Sequence, residues 1–188
     1  HRGFRSAAWF AFGVIVNEIA PLWFKKHVPD PVEAGRLKEK YFDPVDLGII
    51  TFDEAMEQLG QAFGVDPKGI KKDWYDAVEL REDVLAYYDA LRKEHTLILL
   101  SNAGHPFLQD ILDRYGLRKH FDRVFISCYE HMGKPDPRFY RLAMEAIPGD
   151  YEEIVMIDDN PKNLVPLPSL GIRGILYRDL PALQRDLF

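Results

Sequence analysis

The chain of 188 residues is 47% apolar and carries a formal net charge of −6, which fits one core domain with one inserted subdomain. The acidic balance argues against a protein that holds a nucleic-acid backbone along a basic face. The single cysteine, Cys128, excludes an internal disulfide and a zinc site built from several thiolates. No apolar run approaches the roughly 18 to 20 residues of a membrane span, and His1-Arg2-Gly3 opens without the apolar segment of a secretory signal. The expectation is a soluble, cytoplasmic protein that works on small molecules, with no nucleic-acid or membrane partner. Nothing in the string speaks to oligomeric state.

In chain order, the first strongly apolar segment is Ala7 to Val16, a nearly continuous run of strand formers that suits a central parallel strand buried on both faces. About 80 residues then pass before the next such run, far more than a crossover helix needs, so an insertion is expected there. Its signals are helical. Thr51-Phe-Asp-Glu54 is a capping box that opens a helix to about Phe63, and Asp66-Pro67 is an N-cap followed by proline at the first helical position. Arg81 to Lys93 carries Val84, Leu85, Tyr88 and Leu91 on one stripe, and a further helix runs from Pro106 to Tyr115 ahead of Gly116. Thr96 to Ser101 and Glu153 to Asp158 read as buried strands, with Arg123 to Ser127 and Gly174 to Tyr177 as shorter ones. Pro166 and Pro168 should cut short the helix begun at Pro161. Alternating strands and helices imply an α/β fold around a doubly wound parallel sheet.

Ligands of such sheets bind beyond the carboxyl ends of the strands, so the polar residues that close each apolar run are the candidates. Ser101-Asn102-Ala103-Gly104 closes one strand, Asp158-Asp159-Asn160 closes another, and Gly133-Lys134-Pro135-Asp136-Pro137 leads into a helix between them. Paired carboxylates beside a buried strand are costly unless a cation neutralises them, and the candidates are a hard metal ion and Lys134. Mg²⁺ favours one or two carboxylates completed by water and a phosphate, which suits Asp158 and Asp159 as ligands. Ser101 and Asn102 can donate hydrogen bonds to phosphate oxygens, and Lys134 can offset developing negative charge. Taken singly, each piece has a plainer use as a turn, a solvated loop or a helix cap.

The stretches LLSNAG (Leu99 to Gly104), GKPDPRFY (Gly133 to Tyr140) and IDDNPKN (Ile157 to Asn163) resemble the second, third and fourth motifs of the haloacid-dehalogenase-like hydrolases. The likeness extends over nearly the whole chain. Within that superfamily it is most similar to the group with a small helical cap after the first strand, which includes sugar-phosphate phosphatases of the glucose-1-phosphatase kind. Gly48 to Glu54 and Trp74 look like cap sequences of that group. The resemblance implies a Rossmann-like core from residues 1–17 and 79–188, with a cap over 18–78. It further implies a Mg²⁺-dependent phosphatase of a small phosphorylated metabolite, working through a phosphoaspartyl intermediate. By motif, Lys134, Ser101 and Asn102 are the catalytic residues. Ser101, Asn102, Ala103 and Lys134 bind the substrate's phosphate. Asp159 is the principal Mg²⁺ ligand, Asp158 ligates through water or holds Lys134, Phe12 offers its backbone carbonyl to the metal, and Asn163 supports the metal loop.

The first motif departs from this pattern. The family places a nucleophilic aspartate directly after the first strand, whereas this chain reads Trp9-Phe10-Ala11-Phe12-Gly13-Val14 with no aspartate before Asp30. Replacement at Ala11 requires a deletion as well. A single aspartate between Phe10 and Ala11 restores every neighbour, so the expectation is a residue there that the one-letter string does not show, such as a modified aspartate. The competing reading is a true deletion, which leaves a phosphate-binding protein without turnover. Phe12 occupies the place where many of these phosphatases carry a second aspartate as general acid and base. A 2-haloacid dehalogenase is the alternative enzyme, since an aromatic follows the nucleophile by two places in that branch, but Asp158-Asp159 speaks against it.

The remaining tempting residues have plainer readings. His105 is an exposed histidine beside the Ser-Asn loop. Trp23, Phe24 and Trp74 are packing residues of the insertion. The pairs Lys25-Lys26 and Lys71-Lys72 are solvated helix faces, and Cys128 is a buried strand residue.

Overall fold

The computed structural model describes residues 7–10 and 12–188, with side chains from Val14 onward. The expectation of an aspartate between Phe10 and Ala11 therefore lies outside the described residues. Five parallel strands form one sheet in the order β3-β2-β1-β4-β5: β1 (Ala7–Phe10), β2 (Thr96–Ser101), β3 (Arg123–Ile126), β4 (Ile154–Asp158) and β5 (Arg173–Leu176). β1 is central, with Phe10 opposite Leu99 of β2 and Ile157 of β4. Both sheet faces are covered. Leu97, Leu99, Val155 and Ile157 join one core cluster, while Ile98, Leu100, Ile154 and Met156 join another. Period-two alternation between two apolar layers explains why these strands read as unbroken apolar runs.

The first apolar run is not one strand. β1 ends at Phe10, a helical turn α1 (Phe12–Ile15) follows, and Val16 makes an isolated antiparallel bridge to Leu80. The chain is drawn away from the sheet by the returning segment. Arg81 N–H donates to the Ile15 carbonyl at 2.9 Å, and the Asn17 side chain both donates to the Ala77 carbonyl and accepts from Glu79 N–H. Val14, Ile15 and Val16 are still fully buried. A continuous apolar run records burial and not the conformation that achieves it.

Four helices separate α1 from the returning segment: α2 (Ala20–His27), α3 (Pro31–Asp46), α4 (Phe52–Phe63) and α5 (Pro67–Asp76). Their starts follow side-chain capping. Asp30, Thr51 and Asp66 each accept a hydrogen bond from a backbone N–H of the first turn, and α4 ends on Gly64 in the left-handed region. Trp23, Phe24 and Trp74 are buried as packing residues, with Trp74 stacked on Phe42. Phe52 of α4 stacks on Phe107 at 4.9 Å, and Phe52 N–H donates to the His105 carbonyl, so this layer is continuous with one face of the sheet.

The rest alternates around the sheet: α6 (Glu82–Leu91), α7 (Phe107–Arg114), α8 (Ser127–Glu130), α9 (Pro137–Glu145) and α10 (Leu180–Leu187). Cys128 is buried, as expected, but it lies in the turn α8 and not in a strand, because β3 ends at Ile126. The segment after β4 holds only short 3-10 turns, Pro161–Leu164 and Pro168–Leu170, in keeping with Pro166 and Pro168 breaking a helix. Among the described residues no helix is long and apolar enough to cross a membrane.

Gly48 joins the helical layer to the sheet edge. It has φ +73°, and a Cβ there would stand 2.1 Å from the Cys128 carbonyl oxygen. Gly48→Ala is therefore predicted to destabilise the fold by more than about 1 kcal/mol, while Gly35→Ala, with open space around a helical position, should be neutral or stabilising by up to about 1 kcal/mol. Urea unfolding of both variants checks this. Equal midpoints would contradict the close approach.

Candidate phosphate and metal site

The site lies at the carboxyl edge of the sheet, where β1 is flanked by β2 on one side and β4 on the other. The chain passes from β1 to β2 in one direction and reaches β4 in the other, which makes the β1/β4 crevice the switch point where open α/β sheets bind ligands. Phe10 stands opposite Ile157, one residue before Asp158, so the carboxyl end of β1 opens beside the acidic pair. Phe12 opens α1 immediately beyond that end.

Asp158 is the best-connected side chain of the edge. Its Oδ2 accepts from Lys134 Nζ at 3.0 Å and from Asn163 Nδ2 at 3.0 Å, and its Oδ1 accepts from Asn160 N–H at 2.9 Å. The Lys134 and Asp158 side chains are only 3% and 1% exposed. Asn163 is held in turn by Tyr140, whose hydroxyl donates to the Asn163 carbonyl at 2.6 Å. A desolvated ion pair persists only when further hydrogen bonds satisfy its remaining valences, and this carboxylate has them.

Lys134 is also fixed through its backbone. Asn102 Nδ2 donates to the Lys134 carbonyl, and Lys134 N–H donates to Asn102 Oδ1, both at 2.8 Å. Both polar ends of the Asn102 side chain are thereby engaged in positioning Lys134. The clamp needs a glycine beside it, since a Cβ on Gly133 would come within 2.8 Å of Asn102 Oδ1. Ser101 Oγ, at the end of β2, is fully buried and has no hydrogen-bond partner among the described residues. An orphaned buried hydroxyl is costly unless an acceptor is supplied. Ala103 N–H donates to Ser127 Oγ at 3.0 Å and so ties this loop to α8.

Asp159 is half-buried and forms no ion pair among the described residues. Burial first, then the nearby Glu18 and Asp158 carboxylates, pushes its pKa up to about 7. Such a group lacks positive charge. Among the described residues no cage of three or more His, Cys, Asp or Glu side chains forms, and an acidic pair without a cage suits Mg²⁺, which keeps water and takes oxygens from a bound phosphate. The donor set therefore fits that ion.

Asn102, Ala103, Lys134, Asp158 and Asp159 line one cavity of about 510 Å³. Ser101 is not in its wall. From the helical layer, α3 contributes Asp46, which belongs to none of the sequence motifs. Burial pushes the Asp46 carboxyl up to about 7, against the pull of Lys38 and Lys134. His105 is exposed and sits outside this wall, with Nδ1 2.6 Å from the Tyr129 hydroxyl.

A profile of the haloacid dehalogenase-like hydrolases matches residues 11–171. The chain belongs to that family. A phosphoserine phosphatase of Thermus thermophilus is 38% identical over 179 residues, covering 92% of this chain and 69% of that protein. A predicted HAD-like family hydrolase from Porphyromonas gingivalis superposes with a TM-score of 0.75 at 25% identity over 98% of both chains. A HAD family enzyme of Bacteroides thetaiotaomicron in complex with magnesium and inorganic phosphate superposes at 0.74 with 22% identity, over 94% of this chain and 95% of that one. A variant of it with one aspartate replaced by alanine also holds magnesium and inorganic phosphate. Other curated relatives are much longer: the chain spans 30% of one and 13% of another.

The raised Asp159 pKa has a testable sign. An unfolded aspartate ionises near 3.8, so between about 4 and 7 the folded state binds more protons and loses stability as pH rises. In EDTA, Asp159→Asn should gain stability relative to the parent across that window, and the gap should level off above pH 7. Urea midpoints of both proteins at three pH values check this, and a pH-independent gap would remove the electrostatic argument.

Proposed function

We propose that the chain is a Mg²⁺-dependent phosphatase of a small phosphorylated metabolite, with a Rossmann-like core over residues 1–17 and 79–188 and a helical cap over 18–78. The observation that carries this reading is the buried Lys134–Asp158 pair beside a second acid, Asp159, that lacks a cation. Asp159, with Asp158 or the Phe12 carbonyl, would hold Mg²⁺. When bound, the ion screens phosphate charge and supplies a Lewis acid. Lys134 stabilises negative charge on the phosphoryl group, and the Asn102–Ala103 backbone presents hydrogen bonds to it, while Ser101 lies buried outside the cavity wall.

Phosphoryl transfer by this route needs a carboxylate at the end of β1, and we assign it to an aspartate between Phe10 and Ala11. A phosphate-binding protein without turnover is the second reading, favoured by the plain fact that the string shows no aspartate before Asp30. The phosphatase reading draws support from the phosphoserine phosphatase likeness. The metal and phosphate held by the Bacteroides enzyme's alanine variant suit both readings, since binding there survives loss of an aspartate. Dehalogenation is disfavoured, because halide displacement has no use for a metal cation and Asp159 is then left without one. A sugar phosphate is the substrate class that the cap resemblance suggests.

The test compares the chain of the printed sequence with a variant carrying an aspartate inserted between Phe10 and Ala11. With an aryl phosphate, the insertion variant should turn over in Mg²⁺ and lose at least about 100-fold in EDTA or on Asp159→Asn. The printed sequence should bind phosphate with little or no turnover. Activity indifferent to EDTA, or halide release from a chloroacid in place of phosphate release, would sink the proposal.

A further inference from the structure

The cavity at the sheet edge carries more negative charge than its phosphate and metal positions use. We propose that its ligand is a phosphomonoester whose organic part bears an ammonium group, received by a row of carboxylates on α3 beside an aromatic wall. The inference rests on the phosphate and metal site of the reading above and needs no nucleophile.

Among the described residues, six carboxylates and three lysines line the cavity. Mg²⁺ and a phosphate ester dianion carry equal and opposite charge, so their joint binding leaves that excess of carboxylates in place. Four of the acids, Glu18, Glu39, Asp43 and Asp46, come from the helical layer and the segment leading into it, and their side chains form no hydrogen bond or ion pair among the described residues. Other acids of that layer do find partners: Glu33 pairs with Arg36, Asp53 with Lys71 and Asp76 with Lys72. The cavity acids have none, although Lys38 stands on the same helix.

Their placement suits the organic part of a small ester. Glu39, Phe42, Asp43 and Asp46 fall at the spacing that brings side chains onto one helix face. A Cβ on Gly104 would stand 2.0 Å from Val45 Cγ1, so the C-terminal end of α3 lies against the Ser101–Gly104 loop. From Asp46 back to Glu39 the helix rises about 10 Å, and the row of carboxylates therefore leads outward from the phosphate position. Burial follows the same direction, since Asp46 is half-buried while Asp43 and Glu39 are exposed. Glu18 is set by its neighbour Asn17, whose side chain is tied to the Ala77 carbonyl and to Glu79 N–H.

The aromatic wall is an independent feature of the same cavity. Phe42 stacks on Trp74 at 5.2 Å, Phe52 stacks on Phe107 at 4.9 Å, and all four rings line it. An alkylammonium is attracted by ring faces and by carboxylates alike, and its methylenes pack on the rings. A neutral polyol could hydrogen-bond the carboxylates, but it would leave their excess charge uncompensated.

Ligand pairs that differ only in an amine or a hydroxyl test this by binding alone. In Mg²⁺ near neutral pH, calorimetry of 3-aminopropyl phosphate against 3-hydroxypropyl phosphate, and of glucosamine 6-phosphate against glucose 6-phosphate, should favour the amine in each pair by about tenfold or more. Glu39→Gln combined with Asp43→Asn should cut that preference to about two-fold. Glu57→Gln combined with Asp73→Asn, which removes the same charge from exposed positions outside the cavity, should keep it. Equal affinity within the pairs, tighter binding of the hydroxyl ligand, a preference untouched by the first double variant, or the same loss from the second, overturns the proposal while the phosphate and metal site stands on the binding of inorganic phosphate. Failure of inorganic phosphate to bind in Mg²⁺ overturns that reading, and this inference with it.

Discussion

The ion pair between Lys134 and Asp158 organises the carboxyl edge of the sheet. The two residues come from segments 24 positions apart, and their side chains are almost wholly withdrawn from water. Removing one partner of such a pair leaves an uncompensated buried charge at a cost of about 3–5 kcal/mol, so each segment fixes the other. From this contact outward, Asn163 and Asn160 set the turn after β4, Tyr140 ties α9 to that turn, and Asn102 holds the Lys134 backbone against the end of β2. Two strand ends and one loop thus face a common cavity. Lys134 is paired with Asp158, which leaves Asp159 without a cation, and the proposed Mg²⁺ site rests on that imbalance.

The helical layer completes the cavity through close contact with the sheet edge. Stacking of Phe52 on Phe107 and the hydrogen bond from Phe52 N–H to the His105 carbonyl bind α4 to the loop that carries Asn102. Close approach at Gly48 and Gly104 brings the end of α3 to the same place. The wall that would select the organic part of a substrate is therefore built on the same glycine contacts that deliver Asp46. Changes in that wall should alter substrate preference while the buried Lys134–Asp158 pair stays unaltered.

Much of this was legible in the sequence because buried strands and capped helices carry local signals. Thr96 to Ser101 and the strand ending at Asp158 read correctly, as did the capping of α4 by Thr51 and the break imposed by Pro166 and Pro168. Ala7 to Val16 misled, since its later half is buried in a helical turn held by residues 77–81, a contact with no local trace. Cys128 misled for a related reason: burial was read as strand, and strand ends shift by a residue or so. The acidic pair and Lys134 stood out by chemistry, but the engagement of both ends of Asn102 by the Lys134 backbone could be seen only in three dimensions. Asp46, two residues before Gly48, carries no local signal, because the cavity it lines with Lys134 and Asn102 is assembled from distant segments.

The most direct test of the account is calorimetric titration of the protein with inorganic phosphate, with and without Mg²⁺, because binding needs no nucleophile. If the acidic pair and Lys134 form one site, Mg²⁺ and phosphate must each tighten the other by the same factor, and Asp159→Asn must abolish that coupling. Phosphate affinity that is identical in Mg²⁺ and in EDTA would contradict the account, since the carboxyl edge of the sheet would then not be a joint metal and phosphate site.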